Sequence, residues 1–287
     1  MEHSYYIPII SDYGFKATFG NEANDLFLRK ALQALIKSEI PIQKIYFDKN
    51  AFEALTFDSR SGIFDLSCTD EKGNQFIVEM QLGNAPNFLQ RMKFYALHKF
   101  NVMIEKGKFN YSNLPKLFII AILEKSVLLG KQFHTVINLR TEKGELIDSQ
   151  MTFITVELFK FDKKVAEIKT DLEKLIYTMK AVHTTNEPTQ YPKFWNEEWL
   201  QKALQELDTR RMTSEERAYF ARVTAANAEA VNAERQRTDE AVDLKEKTVK
   251  LEAVKNLLKL NVLTIEQIAT SLNVNVDFVH SVQQELF

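Results

Sequence analysis

The chain has 287 residues, and its 37 Lys and Arg residues against 39 Asp and Glu residues give a formal net charge of −2. This balance excludes a global electrostatic attraction to nucleic acid, so any DNA contact must come from a local basic patch. With 45% hydrophobic and 26% charged residues, the composition is typical of a soluble globular protein with one sizeable domain and an appendage, or with two modest domains.

The N-terminus and the cysteine usage bear on the cellular compartment. No positively charged segment followed by an apolar one opens the sequence, which argues against a signal peptide. The strongest apolar run, Leu117–Leu123, is too short to span a bilayer. The single cysteine, Cys68, cannot form an intrachain disulfide, and its alternation with Phe64 and Leu66 predicts a buried, inert thiol. We therefore expect a cytoplasmic protein without membrane contact.

Helical and strand patterns alternate over the first two thirds of the chain. Apolar residues recur at helical spacing over residues 24–37, whereas residues 40–47 and 52–57 have the character of short strands. A β-hairpin follows at residues 63–81, and residues 87–106 again have helical spacing.

The next segments complete the pattern of the first domain. The apolar run at residues 117–123 predicts a central strand that is buried on both faces. Residues 151–159 predict another strand and residues 165–183 another helix. Strands and helices interleaved in this way predict an α/β core with a mixed central sheet flanked by helices.

The last third of the chain has a different composition. Residues 193–287 contain neither glycine nor proline, which predicts an all-helical tail and a domain boundary between residues 1–192 and residues 193–287. A long helix is expected over residues 213–261, and its middle has few large apolar residues, as in a solvated helical arm. Such an arm could mediate homodimer formation.

A small helical module is expected at the C-terminus, with spacing similar to a helix-turn-helix. A capping-box pattern at residues 264–267 starts one helix, and a last helix follows residues 273–275. Because residues 275–285 contain no Lys or Arg, a contact with protein is favoured over a DNA-reading role for this helix.

The chemistry of the sequence is concentrated in the predicted hairpin. Folding it symmetrically about Lys72 places Phe64, Leu66 and Cys68 on one face and sets Asp65 opposite Glu79, with Gln81 beside them. Opposed cross-strand side chains have Cβ atoms roughly 5 Å apart, where like charges repel. Two carboxylates so placed either share a proton or hold a cation between them.

The pattern favours a metal site but leaves alternatives open. The two acids could be solvent-facing residues on an ordinary hairpin. Acids that point to opposite sides of the sheet, or a basic side chain held permanently between them, would argue against a metal site.

A family resemblance extends this interpretation. The string FDLSCTDEKGNQFIVEMQ at residues 64–81 resembles the Asp-(X)n-Glu-X-Lys signature of the PD-(D/E)XK nucleases, in a Glu-X-Gln variant. Together with SDYGFKATFG at 11–20, FLQRMKFYALHKF at 88–100 and FITVELFKF at 153–161, it resembles the Rpn family of recombination-promoting nucleases, also known as PD-(D/E)XK nuclease family transposases. The resemblance covers residues 10–185 and implies a restriction-endonuclease-like α/β core.

The resemblance implies a magnesium-dependent DNA endonuclease, with manganese as an alternative ion, that acts in DNA recombination, transposition or defence against foreign DNA. By the same resemblance, Asp65 and Glu79 are metal ligands and catalytic acids, and the Met80 carbonyl is a third ligand. Gln81 stands where most of these nucleases have lysine. Glutamine can orient a water molecule but cannot supply charge or act as a base, so a reduced or lost rate is expected.

Four further residues stand out. Asp12 lies in the N-terminal block, where it is either a further metal ligand or a helix N-cap, and Lys16 either contacts a DNA phosphate or is solvated. Arg91 and Tyr95 lie four residues apart on one helix face. Arginine suits a phosphate contact, whereas Tyr95 is expected to pack in the core.

Two other classes of function stay open. The chain could be a catalytically weak or inactive nuclease fold that binds DNA. It could also be a protein-interaction module in which the acids are incidental.

Overall fold

The computed structural model describes residues 5–48, 66–83, 87–103 and 114–286. The strand predicted over residues 52–57 and the residues Phe64 and Asp65 of the hairpin lie outside these ranges. The described helices are α1 (Asp12–Phe19), α2 (Leu26–Leu35), α3 (Phe88–Met103), α4 (Asp171–Ala181), α5 (Glu198–Leu207), α6 (Ser214–Leu260), α7 (Ile265–Leu272) and α8 (Val276–Leu286). The described strands are β1 (Ile45–Phe47), β2 (Leu66–Asp70), β3 (Gln75–Gln81), β4 (Leu117–Leu123), β5 (His134–Arg140) and β6 (Leu146–Glu157).

The strands form one mixed sheet, as the sequence predicted. Its order is β1-β2-β3-β4-β6-β5. The strand β3 pairs antiparallel with β2 and parallel with β4, and β4 pairs parallel with β6. The apolar run of β4 therefore lies in the middle of the sheet, where both of its edges are hydrogen-bonded and both of its faces are buried.

The sheet has two apolar faces, and different helices cover them. On one face, side chains from α1, α2, α4 and α5 pack against the sheet and form the main core, which includes Phe15, Leu28, Val78, Ile120 and Trp199. On the other face, α3 packs against β3 and β4 in a smaller α3 core; its buried members are Ile77, Phe88, Met92, Tyr95, Ala96, Leu117, Ile119, Ala121 and Leu123.

Element boundaries differ from the prediction where local hydrogen bonding decides them. The predicted helix over residues 165–183 begins later, at Asp171, because the Thr170 side chain accepts a hydrogen bond from the Glu173 N–H and caps the helix there. Residues 165–167 form a separate 3₁₀ turn. The predicted strand over residues 151–159 starts earlier, at Leu146, because β5 pairs with β6 along its length and as far as Leu146, and it ends at Glu157.

Two compact units divide the chain, Met1–Phe220 and Ala221–Phe287. The sequence set the boundary near residue 192, but α5 belongs to the first unit, since its residues Trp199, Leu200 and Leu207 are buried in the main core. No helix in the described parts of the chain is long and apolar enough to cross a membrane.

The second unit contains the predicted small helical module. Thr264 and Gln267 form the expected capping box at the start of α7, and Asn273 ends that helix in a left-handed conformation. The end of α6 packs with α7 and α8 through Val254, Ile268, Val279 and their neighbours. The long helix α6 and this terminal module are therefore as the sequence predicted.

Candidate active site

The hairpin of β2 and β3 has the predicted register. Leu66 pairs with Val78 and Cys68 with Phe76, so the pairing is symmetric about Lys72. Leu66, Cys68 and Val78 are buried in the main core, as the alternation predicted, which leaves the other side of the hairpin facing α3. Asp65, the predicted partner of Glu79, lies outside the described residues.

The Cys68 thiol is fully buried, and its burial raises the thiol pKa above the ordinary value. A thiol with a raised pKa carries little thiolate at neutral pH and is therefore unreactive. The burial of Cys68 confirms its predicted place in the core, and the inertness of its thiol stays a prediction.

Glu79 is a carboxylate on a mostly apolar face. It follows Ile77 on the side of β3 that α3 covers, it is only 7% exposed, and its partner across the parallel pair with β4 is Ala121. A carboxylate at such a position is costly to bury unless a positive charge compensates it. The ionised form of Glu79 is therefore favoured only where a positive charge lies beside it.

Arg91 of α3 supplies one such positive charge. Its Nη2 donates a hydrogen bond to the Gln81 Oε1 at 2.7 Å and a longer one to the Glu79 Oε1 at 3.3 Å. The Gln81 amide is oriented by this contact and by a 3.1 Å hydrogen bond from its Nε2 to the Leu82 carbonyl oxygen. The structure thus brings together Glu79, Gln81 and Arg91, and it shows Arg91, which the sequence assigned to a phosphate, on the acid itself.

The described hydrogen bonds use only part of the Arg91 guanidinium. The Arg91 Nε is buried and has no hydrogen-bond partner among the described residues, although the side chain as a whole is 33% exposed. A guanidinium fixed permanently on a carboxylate usually makes two parallel N–H···O bonds. The contact between Arg91 and Glu79 is a single bond and lacks this geometry.

The helix α3 carries a row of polar residues spaced by four over the same face of the sheet. Arg91, Tyr95 and Lys99 lie one turn apart and therefore on one side of the helix. Tyr95 is buried in the α3 core, as predicted. Lys99 is only 5% exposed, and its ammonium donates to the Asp48 Oδ2 at 2.6 Å and to the Ser67 Oγ at 3.1 Å.

Asp48 and the buried Lys99 form a second, partly buried charge cluster that sequence reasoning missed. The Ser67 hydroxyl donates to the Asp48 Oδ2 at 2.7 Å, and the Thr69 Oγ1 lies 3.3 Å from the Asp48 Oδ1. The spacing of Arg91, Tyr95 and Lys99 was a usable signal for Lys99, because the three share a helix face. Asp48 follows a three-residue strand and has no such pattern.

Asp12 and Lys16 lie on α1 and pair with each other. Asp12 is the first residue of the helix, and the N-cap is Ser11, whose side chain accepts a hydrogen bond from the Gly14 N–H. Of the two interpretations of Asp12, the helix N-cap is therefore wrong. The Lys16 Nζ lies 3.0 Å from the Asp12 Oδ1, and among the described residues no hydrogen bond or ion pair connects either side chain with Glu79.

The donor set suits a hard divalent cation. The described residues contain no group of three or more His, Cys, Asp or Glu side chains that could hold a metal. Magnesium, however, is commonly bound through one or two carboxylates together with water and substrate phosphates. Among the described residues, the Glu79 carboxylate is an oxygen donor of this kind. Asp65, the predicted second ligand, lies outside the described residues.

Comparison with known proteins gives one family match. A family model described as PD-(D/E)XK nuclease family transposase matches residues 9–248, which is well over half of the chain. No curated protein and no solved structure matches the chain.

Proposed function

This chain belongs to the PD-(D/E)XK nuclease family transposases, and we propose that it is a divalent-metal-dependent endonuclease that hydrolyses DNA phosphodiester bonds. The observation that carries the proposal is the buried Glu79 carboxylate on β3, two residues before Gln81 in the string that resembles the family's Glu-X-Lys signature. Its biological setting would be DNA recombination, transposition or defence against foreign DNA, in the cytoplasm.

We assign the metal ligands to Asp65, Glu79 and the Met80 carbonyl, with Asp12 as a further acid. The register of β2 and β3 supports this assignment, because Leu66 pairs with Val78, and in the sequence Asp65 precedes Leu66 and Glu79 follows Val78. Met80 contributes through its main chain only, since its side chain packs against the main core. Magnesium, or manganese in its place, would lower the pKa of bound water and neutralise phosphate charge.

Gln81 is assigned the task of orienting the nucleophilic water. Its amide is already held by Arg91 and by the Leu82 carbonyl oxygen, and one N–H and one oxygen lone pair are left for further hydrogen bonds. Because an amide neither carries charge nor accepts a proton at neutral pH, proton removal depends on the bound ion. A slow nuclease is the expected result.

Lys16 and Arg91 are the proposed DNA contacts. The Lys16 side chain is 58% exposed, and an exposed ion pair such as that with Asp12 contributes at most about 1 kcal/mol, so its ammonium can turn to a phosphate at low cost. Arg91 offers several N–H groups in a fork that matches phosphate oxygens.

The proposal is tested by nicking of supercoiled plasmid with purified protein in Mg²⁺ or Mn²⁺. We expect wild-type protein and the control variant Glu145→Gln, at an exposed carboxylate in the turn between β5 and β6, to nick equally. Asp65→Ala and Glu79→Gln should lose at least about 100-fold in rate, since each removes charge from the metal site. Equal nicking by all four proteins would mean that the activity comes from a contaminant or from another site.

A second candidate function is that of a catalytically inactive nuclease fold that binds DNA or protein. The contact of Arg91 with Glu79 favours it, because an arginine that stays on the acid would exclude a metal ion. This candidate predicts no nicking even in Mn²⁺, together with retained DNA binding that Arg91→Met weakens.

Self-association through the helical tail is also proposed. The second unit exposes several large apolar side chains, among them Val249, Leu260 and Val262, which a partner chain would cover. Light scattering of the full chain should then give the mass of a dimer.

A further inference from the structure

We propose that Arg91 and the divalent cation compete for the Glu79 carboxylate, so that metal binding releases the Arg91 guanidinium to the DNA phosphate. This inference rests on the proposed function, because it assumes that the metal binds at Glu79. It adds an order of events: the arginine compensates the acid first and the substrate afterwards.

Arg91 and the metal ion would compete because both would bind the same Glu79 carboxylate. The Arg91 Nη2 lies 3.3 Å from the Glu79 Oε1, and a cation that coordinates this carboxylate would bring a second positive charge to the same group. Two cations close to one carboxylate repel each other, and in a buried site water screens this repulsion poorly. Arg91 therefore opposes metal binding for as long as its guanidinium stays at Glu79.

The geometry of Arg91 suits exchange between two partners. Its shorter hydrogen bond is to the neutral Gln81 Oε1, at 2.7 Å, and only the longer one reaches the charged Glu79. Its Nε has no acceptor among the described residues, so the guanidinium gains a hydrogen bond if it moves to a suitable acceptor. One third of the Arg91 side chain is exposed, so solvent reaches the guanidinium where it lies.

The exchange would also replace the positive charge that a lysine at position 81 would supply and that Gln81 lacks. Glutamine supplies no positive charge to the phosphate that is cleaved. A released Arg91 would supply one from beside Gln81, because the guanidinium already contacts the Gln81 amide. Because coupling between two ligands is reciprocal, metal would favour the Arg91–phosphate contact and DNA would favour the metal. Metal and DNA should therefore bind with positive cooperativity.

The competition is tested by Mn²⁺ binding, measured by electron paramagnetic resonance of the free ion, on the full chain without DNA. Arg91→Met keeps a side chain of similar length and removes the charge. We expect it to bind Mn²⁺ about tenfold more tightly than wild type, a coupling within the usual range between two ligands of one site. Lys93→Met, at an exposed cation on the same helix, should bind as wild type does.

Glu79→Gln separates the two proposals. If it loses Mn²⁺ binding while Arg91→Met binds no more tightly than wild type, the competition is refuted and the proposed metal site stands. If Glu79→Gln binds Mn²⁺ as tightly as wild type, the metal is not at Glu79, and both the proposed function and this inference fail.

A measurement on wild-type protein covers the case in which Arg91→Met does not fold. In protein labelled with ¹⁵N-arginine, the side-chain Nε–H signal of Arg91, assigned through Arg91→Lys, should shift on titration with Mg²⁺. A signal that stays unchanged while Mg²⁺ binds would overturn the proposal.

Discussion

The buried pair of Asp48 and Lys99 allows a quantitative prediction. Asp48→Asn leaves the Lys99 ammonium, only 5% exposed, with a neutral amide and the Ser67 hydroxyl. Removing one partner of a fully buried ion pair costs about 3–5 kcal/mol. Because the Asp48 side chain is 22% exposed and water can replace part of its interaction, we expect a loss of about 2–3 kcal/mol.

Substitution of the other partner, Lys99, should cost less free energy of unfolding. Lys99→Met leaves Asp48 with its contacts to Ser67 and Thr69 and with access to water, so we expect about 1 kcal/mol. The double variant carries no unpaired charge and should lose about 1–2 kcal/mol, which corresponds to a coupling of about 2 kcal/mol between the two side chains.

Urea unfolding followed by tryptophan fluorescence measures these losses in the first unit, because Trp195 and Trp199 are both buried in the main core. Asp25→Asn, which breaks the partly exposed pair between Asp25 and Arg29, is the matched control and should cost less than about 1 kcal/mol. The reasoning is refuted if the two single losses add to the double loss within about 0.5 kcal/mol, or if Lys99→Met is the costlier change.

Two further predictions concern stability elsewhere in the first unit. Gly14→Ala should destabilise by about 2–3 kcal/mol, because its Cβ would lie 2.0 Å from the Pro8 carbonyl oxygen, whereas Gly130→Ala, which meets open space, should be near neutral in the same urea assay. Burial alone would raise the pKa of Glu173, but the ionic hydrogen bond from Lys163 and two backbone N–H donors lower it from 4.5 to about 2. The stability from this lowered pKa is present above about pH 4.5 and lost as the pH falls towards 2, so the advantage of wild type over Glu173→Gln should shrink across that window in acid titrations followed by circular dichroism; a constant difference would contradict it.

Elements with strong local patterns were predictable from the sequence. The strand Leu117–Leu123 was predicted at its observed bounds because an uninterrupted apolar run suits only the middle of the sheet. The edge strand β5 was missed. Its residues Val136, Ile137 and Leu139 are exposed, so apolar and polar side chains do not alternate along it as they do in a strand with one buried face. The late start of α4 was readable in principle from the Thr170 and Glu173 capping box.

The site was predictable in its local part only. The hairpin register followed from alternation and the turn, but the position of Arg91 on Glu79 and Gln81 depends on how α3 lies on the sheet. The pair of Asp48 and Lys99 joins residues that lie 51 positions apart, and no local periodicity encodes such a distance.

The helix α3 has two tasks at once, because it seals an apolar face through Phe88, Met92 and Ala96 and carries the guanidinium that meets Glu79. A substitution among these apolar side chains of α3 would therefore also move the Arg91 guanidinium, even though every ionisable group is left intact. If the exchange proposed for Arg91 holds, substitutions at these aliphatic and aromatic positions would change how readily Glu79 releases the arginine, although they alter no charged residue.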